Sequence, residues 1–107
     1  MLRNGSYSAS FRTSLGEGTG VLVLNDGKVT GDDTVLAYSG RYFQNGDQFS
    51  AAVTTRRHAQ GQPSVFGIDE VDLTVNGKST LTTASCTGTA KQAPGLTFEA
   101  TLVRMAD

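Results

Sequence analysis

His58 is the only histidine of the chain, so a Ser-His-Asp or Cys-His device would have to be built around it. Ser64 and Asp69 lie within a few residues, but nearness along a chain sets no geometry, and beside Arg56 and Arg57 the ring reads as a loop or strand-end residue. Cys86 alternates with Ala84 and Gly88, the setting of a buried structural thiol. Zinc would need more than one Cys and one His. Gly16-Glu17-Gly18-Thr19-Gly20 has the glycine content of a phosphate loop. Such a loop opens a helix, however, and the segment after Gly20 is strand-like. Asp32-Asp33 and Asp69-Glu70-Val71-Asp72 lack calcium-loop spacing. They read as solvated turns, with an acidic docking face as the sharper alternative. Arg56-Arg57-His58 is the only basic knot, too small for a nucleic-acid surface. No constellation supports catalysis, a metal or a cofactor, so the expectation is a non-enzyme with none.

The elements that would carry these residues are strands. Tyr7, Ala9 and Phe11 alternate with Ser8, Ser10 and Arg12, a period of two. Val21 to Leu24 runs into Asn25-Asp26-Gly27-Lys28, a hairpin signal, before Val29 and Thr30. Val35 to Phe43 is the next strand, with Tyr38 and Tyr42 on the parity of Leu36. Gln44-Asn45-Gly46-Asp47 turns the chain into Phe49, Ala51, Val53 and Thr55. His58 to Gly67, containing Pro63, is the longest loop. Val71, Leu73 and Val75 come next, Asn76-Gly77 turns the chain into Leu81 to Thr89, and Lys91-Gln92-Ala93-Pro94-Gly95 turns it once more into Leu96, Phe98, Ala100 and Leu102. That makes about eight strands with short connections, an all-β antiparallel up-and-down barrel in a single domain spanning 1–107.

Composition agrees. Fourteen Thr, nine Val and one Ile favour a pleated surface, and thirteen Gly favour turns and interrupted helices. A net charge of −1 argues against direct nucleic-acid binding through phosphates. No apolar run approaches the roughly 20 residues of a membrane helix. One Cys excludes an intrachain disulfide, and the first residues lack the roughly 7–15-residue apolar stretch of a secretory signal, so a cytoplasmic location is expected. Eight strands from 107 residues leave roughly 13 for each strand and its turn. Tyr7, Phe11, Tyr38, Tyr42, Phe49 and Phe98 sit on the inward parity and would fill so small a barrel, so a small or closed interior is expected.

Gly5-x-Tyr7-Ser8…Phe11, Gly16-Glu17-Gly18, Thr30-Gly31-Asp32-Asp33 and Tyr38-x-Gly40 resemble the GrlR family, with Pro63-Ser64-Val65 extending the similarity over about two-thirds of the chain. The resemblance implies a lipocalin-like (calycin-type) antiparallel barrel that dimerises. It also implies a negative regulator of type III secretion genes that restrains a helix-turn-helix transcriptional activator, without catalysis or cofactor. The family's Glu-Asp-Glu-Asp run corresponds here to Gln44-Asn45-Gly46-Asp47, which keeps one carboxylate at Asp47. A full acidic run can steer a basic partner; one Asp cannot do the same.

Two functions are compatible with this pattern. The first is a regulatory protein-interaction module, a homodimer that binds a partner protein such as a transcriptional activator. The second is a barrel that binds a small apolar ligand, which needs a roomy interior. Val21 and Val23 share one face of their strand while Leu22 and Leu24 share the other, so the strand is apolar on both sides. The alternation through Gly18 and Gly20 puts Val21 and Val23 outside, where a partner or second subunit would cover them. Val21, Val23 and Asp47 are therefore the candidate partner-binding residues.

Overall fold

A computed structural model describes residues 1–33, 35–60, 65–67 and 70–105. Among the described residues eight strands form: β1 (Gly5–Thr13), β2 (Gly16–Asn25), β3 (Lys28–Asp32), β4 (Leu36–Asn45), β5 (Gln48–Arg57), β6 (Asp72–Ser79), β7 (Thr83–Ala90) and β8 (Ala93–Arg104). Each pairs antiparallel with its neighbour in sequence, and β1 pairs with β8 from Tyr7↔Arg104 to Arg12↔Glu99. The result is a closed up-and-down β-barrel, consistent with a lipocalin-like barrel. The described residues include no helix long and apolar enough to cross a membrane.

Period-two alternation decides the two faces of the wall. Tyr7, Ala9, Leu24, Val29, Tyr38, Tyr42, Phe49 and Ala51 are buried, as are Leu73, Val75, Ala84, Cys86, Phe98 and Leu102. Ser6, Ser8, Ser10, Lys28, Thr30, Asp72 and Thr74 between them are exposed. Apolar side chains point in and mainly polar ones out, the reverse of a barrel that faces lipid.

The two ends differ. At one, residues 1–4 cross the opening: Leu2 is buried, and the Gln44 carboxamide accepts from the Leu2 amide at 2.7 Å and donates to its carbonyl at 3.0 Å. Tyr7, 0% exposed, donates its phenol to the Arg3 carbonyl at 2.6 Å, and the Arg104 guanidinium lies over its ring. This end is a plugged floor. At the other end residues 65–67 and 70–71, from the β5–β6 connection, lie against the barrel, with Phe66 and Val71 buried. The Thr13 hydroxyl donates to the Val65 carbonyl, and Thr55 and Val71 exchange bonds at 3.0 and 3.2 Å.

Two expected turns lie elsewhere. Asn76-Gly77 is not a turn but the middle of β6, paired with Thr87 and Cys86. A Cβ built on Gly77 would stand 1.9 Å from the Ser85 carbonyl oxygen, and one on Gly88 would stand 1.8 Å from that of Thr74. Glycine here lets neighbouring backbones approach as the wall coils. The true turn is 80–82, where the Thr80 hydroxyl accepts from the Thr82 and Thr83 amides. The last turn is tighter than expected: Ala90 pairs with Ala93, leaving Lys91-Gln92 as the loop and Pro94 and Gly95 inside β8.

Overpacking typically costs about 1–3 kcal/mol, so Gly77→Ala should lower stability by about 2 kcal/mol. Gly95, with nothing within 4 Å of its built Cβ, is the control. Gly95→Ala should stay within about 0.5 kcal/mol of the parent. Urea midpoints of the two variants read the difference directly.

Candidate functional site

The interior is not closed. A cavity of about 340 Å³ runs through the barrel toward the end covered by Val65 and Phe66. The expectation of a filled barrel fails because the aromatic rings gather at two levels. Phe11 stacks on Phe98 at 6.0 Å, Phe98 on Phe66 at 5.5 Å, and Phe11 meets Tyr38 edge-on at 6.2 Å. Tyr42 stacks on Phe49 at 5.9 Å nearer the floor. Between these levels the wall is built from short or branched side chains, among them Ala9, Leu22, Ala51, Val53, Val75 and Ala100. They do not span the bore.

Glycines on β2 enlarge the covered end. A Cβ on Gly18 would lie 2.6 Å from the Phe11 ring, and one on Gly20 would crowd Tyr38. The inward side of β2 therefore holds no side chain there, and the two rings occupy that space. Leu22 and Leu24 resume the wall further down.

Polar groups of the lining concentrate at the covered end. Asp33 lies just past β3, where its Oδ1 accepts the amides of Val35 and Leu36, each at 2.7 Å. Its Oδ2 accepts the phenol of Tyr38. Burial, then the hydrogen bond to Asp33, pushes the Tyr38 phenol well above its ordinary pKa, so it stays a protonated donor. Thr55 lies across from Tyr38 on β5. His58 caps the same turn from outside: its Nε2 donates to the Asp33 carbonyl at 2.9 Å, and its amide donates to Val35 at 2.8 Å. His58 is thus a structural tie at a strand end.

Cys86 lines the cavity, with Sγ 3.8 Å from the Ala100 carbonyl, and burial holds its thiol up at about 11. It is buried, as its alternation with Ala84 and Gly88 indicated. Asp72 is exposed on the outer face, held below the usual carboxylate range by hydrogen bonds from Gln92 and Thr54. Ser64, Asp69 and Pro63 lie outside the described residues. Among the described residues no three His, Cys, Asp or Glu side chains converge as a metal site would require.

Val21 and Val23 face outward, 42% and 40% exposed, as the alternation through Gly18 and Gly20 implied. Ser8 pairs with Val21 on one side and with Val103 on the other, and Val103 is 45% exposed. Asp47 sits in the exposed β4–β5 turn at the floor end, its carboxylate 3.7 Å from the Met1 amine. β3 and β4 separate it from the valines, so the three residues do not form one patch. Sequence reasoning missed the cavity and its Asp33–Tyr38 pole. The signal that could have found them was the run of Ala and Gly on inward positions, which the aromatic positions overshadowed. No protein-family model matches this chain, and no curated protein matches it.

The raised thiol pKa carries a sign. The unfolded chain loses the Cys86 proton near 9 and the folded chain near 11, so burial stabilises the fold fully below 9 and progressively less up to 11. Over that interval the urea midpoint of the parent should fall more steeply than that of Cys86→Ala. Parallel slopes would show that the thiol plays no part in the pH dependence.

Proposed function

We propose that this protein is a non-enzymatic binding barrel that takes a small, mostly apolar molecule into its interior. The observation that carries this reading is the cavity of about 340 Å³ with its largely apolar wall. Ligand sites typically span roughly 300–1,000 Å³ and combine an apolar lining with a few placed polar groups. Apolar cavities of about 150 Å³ already stay dry and take up benzene. A plugged floor, a polar group at one end and a barrel closed by hydrogen bonds suit a container. The reading places the barrel in the cytoplasm and assigns it no cofactor.

The test is an apolar fluorescent probe, N-phenyl-1-naphthylamine. The parent should bind it saturably at one site. Ala51→Leu and Ala100→Leu each add three carbons to the cavity wall. Each should weaken binding by about tenfold while the urea midpoint holds or rises, because filling a void restores lost contacts. No saturable binding by the parent, or undiminished binding in both folded variants, would remove the interior from the function.

A second reading has its own observation. Val21, Val23 and Val103 form an exposed apolar strip across β2, β1 and β8, with only serines between them on β1. The resemblance to the GrlR family supplies a use for it: a homodimer that binds a partner protein such as a transcriptional activator and touches no nucleic acid. Val21→Lys with Val23→Glu should then turn a dimer into a folded monomer by light scattering. A monomeric parent at tens of micromolar would end that reading.

A further inference from the structure

The cavity is apolar along most of its wall and polar at one end, and that end is one-sided in its chemistry. Among the described residues, the charged side chains in the lining are Asp33 and Glu17, both carboxylates. Asp33 engages three donors with its oxygens, the amides of Val35 and Leu36 and the phenol of Tyr38. A carboxylate offers about four lone-pair sites, so one remains. The Tyr38 hydroxyl has its proton directed at Asp33, which leaves its oxygen as an acceptor. Thr55, opposite Tyr38, accepts from the Val71 amide. What Asp33 and Tyr38 offer to an incoming group is therefore acceptors beside a negative charge.

We propose that the molecule held in the cavity has an apolar chain or ring system ended by a hydrogen-bond donor, a hydroxyl or an ammonium, seated against Asp33 and Tyr38. The proposal rests on the interior-binding reading and names its ligand class. An ammonium or alcohol proton fills the remaining acceptor sites at that end. A fatty acid anion brings a second carboxylate to a partly buried first one, which like-charge repulsion opposes. Arg57 stands near this end on the inward parity, but its guanidinium donates to the Ala59 carbonyl at 3.0 Å and does not line the cavity. The shape of the wall sets the order: chain toward Leu24, Val29 and Leu102, head toward the β3–β4 turn.

Displacement of N-phenyl-1-naphthylamine by three ten-carbon competitors tests the assignment at neutral pH: decylamine, 1-decanol and decanoate. The parent should release the probe to decylamine and 1-decanol at concentrations about tenfold lower than to decanoate. Asp33→Asn keeps an oxygen for the Val35 and Leu36 amides and removes the charge. In that variant the tenfold gap should close, with decanoate approaching decylamine and 1-decanol. Ala51→Leu, acting on the cavity wall, should weaken all three together, which separates binding inside the cavity from adsorption to an acidic surface. A flat ranking, or one unchanged in Asp33→Asn, would overturn the donor-head assignment while leaving the interior site standing. Decanoate as the strongest competitor would overturn it too and transfer the head group to Arg57. Failure of the parent to bind the probe at all would overturn both readings.

Discussion

Closure of the wall between β1 and β8 is the constraint on which the rest depends. The seam runs from Tyr7↔Arg104 to Arg12↔Glu99, and it leaves the eight described strands with no unpaired edge. The Arg12–Glu99 ion pair at 2.6 Å spans it, but both side chains are exposed, so its own contribution is small. Backbone pairing and parity do the joining: Tyr7, Ala9 and Phe11 on β1 face inward beside Arg104, Leu102 and Ala100 on β8. Once the ring closes, the face of every other side chain is decided. Val21 cannot share a side with Leu22, nor Asp72 with Leu73.

A closed ring of this circumference has a fixed bore, and the contents then become a matter of side-chain length. Rings at the level of Phe11, Tyr38 and Phe98, and again at Tyr42 and Phe49, reach across it. Alanine, valine and cysteine between them do not. The same wall that needs glycine at position 77, where backbones approach, leaves room near glycine 18, where a ring from the next strand fills in. An apolar void costs stability in an empty protein. A barrel that keeps one while plugging its floor with residues 1–4 retains a space that a ligand can use.

Strands, parity and class were legible in the residues because period-two alternation is a local signal that closure only completes. The outward placement of Val21 and Val23 was legible for the same reason. Asn76-Gly77 misled because the dipeptide has the composition of a hairpin loop, while its role in β6 is to admit the Ser85 carbonyl, a contact from β7 that no local pattern encodes. The cavity was illegible for a related reason. Inward parity says which rings enter the interior, but the level at which each lies depends on strand stagger. Asp33 looked like half of a solvated acidic pair. Its bond to Tyr38 arises only when the β3–β4 turn folds back.

Several of the residues that carry the resemblance to the GrlR family build the interior or a turn. Tyr7 seals the floor through the Arg3 carbonyl, Phe11 occupies the space that Gly18 leaves, and Asp33 holds the β3–β4 turn and Tyr38. Gly40 stands where a Cβ would meet the Ala52 carbonyl. These are interior or turn positions, so they speak for the construction of a barrel rather than for its outer face. Val21, Val23 and Asp47, the residues that would meet a protein partner, lie outside those motifs. Asp33 and Tyr38 also line the cavity and form its polar pole. At that one place, the hydrogen bond that builds the turn also sets the polarity of the interior.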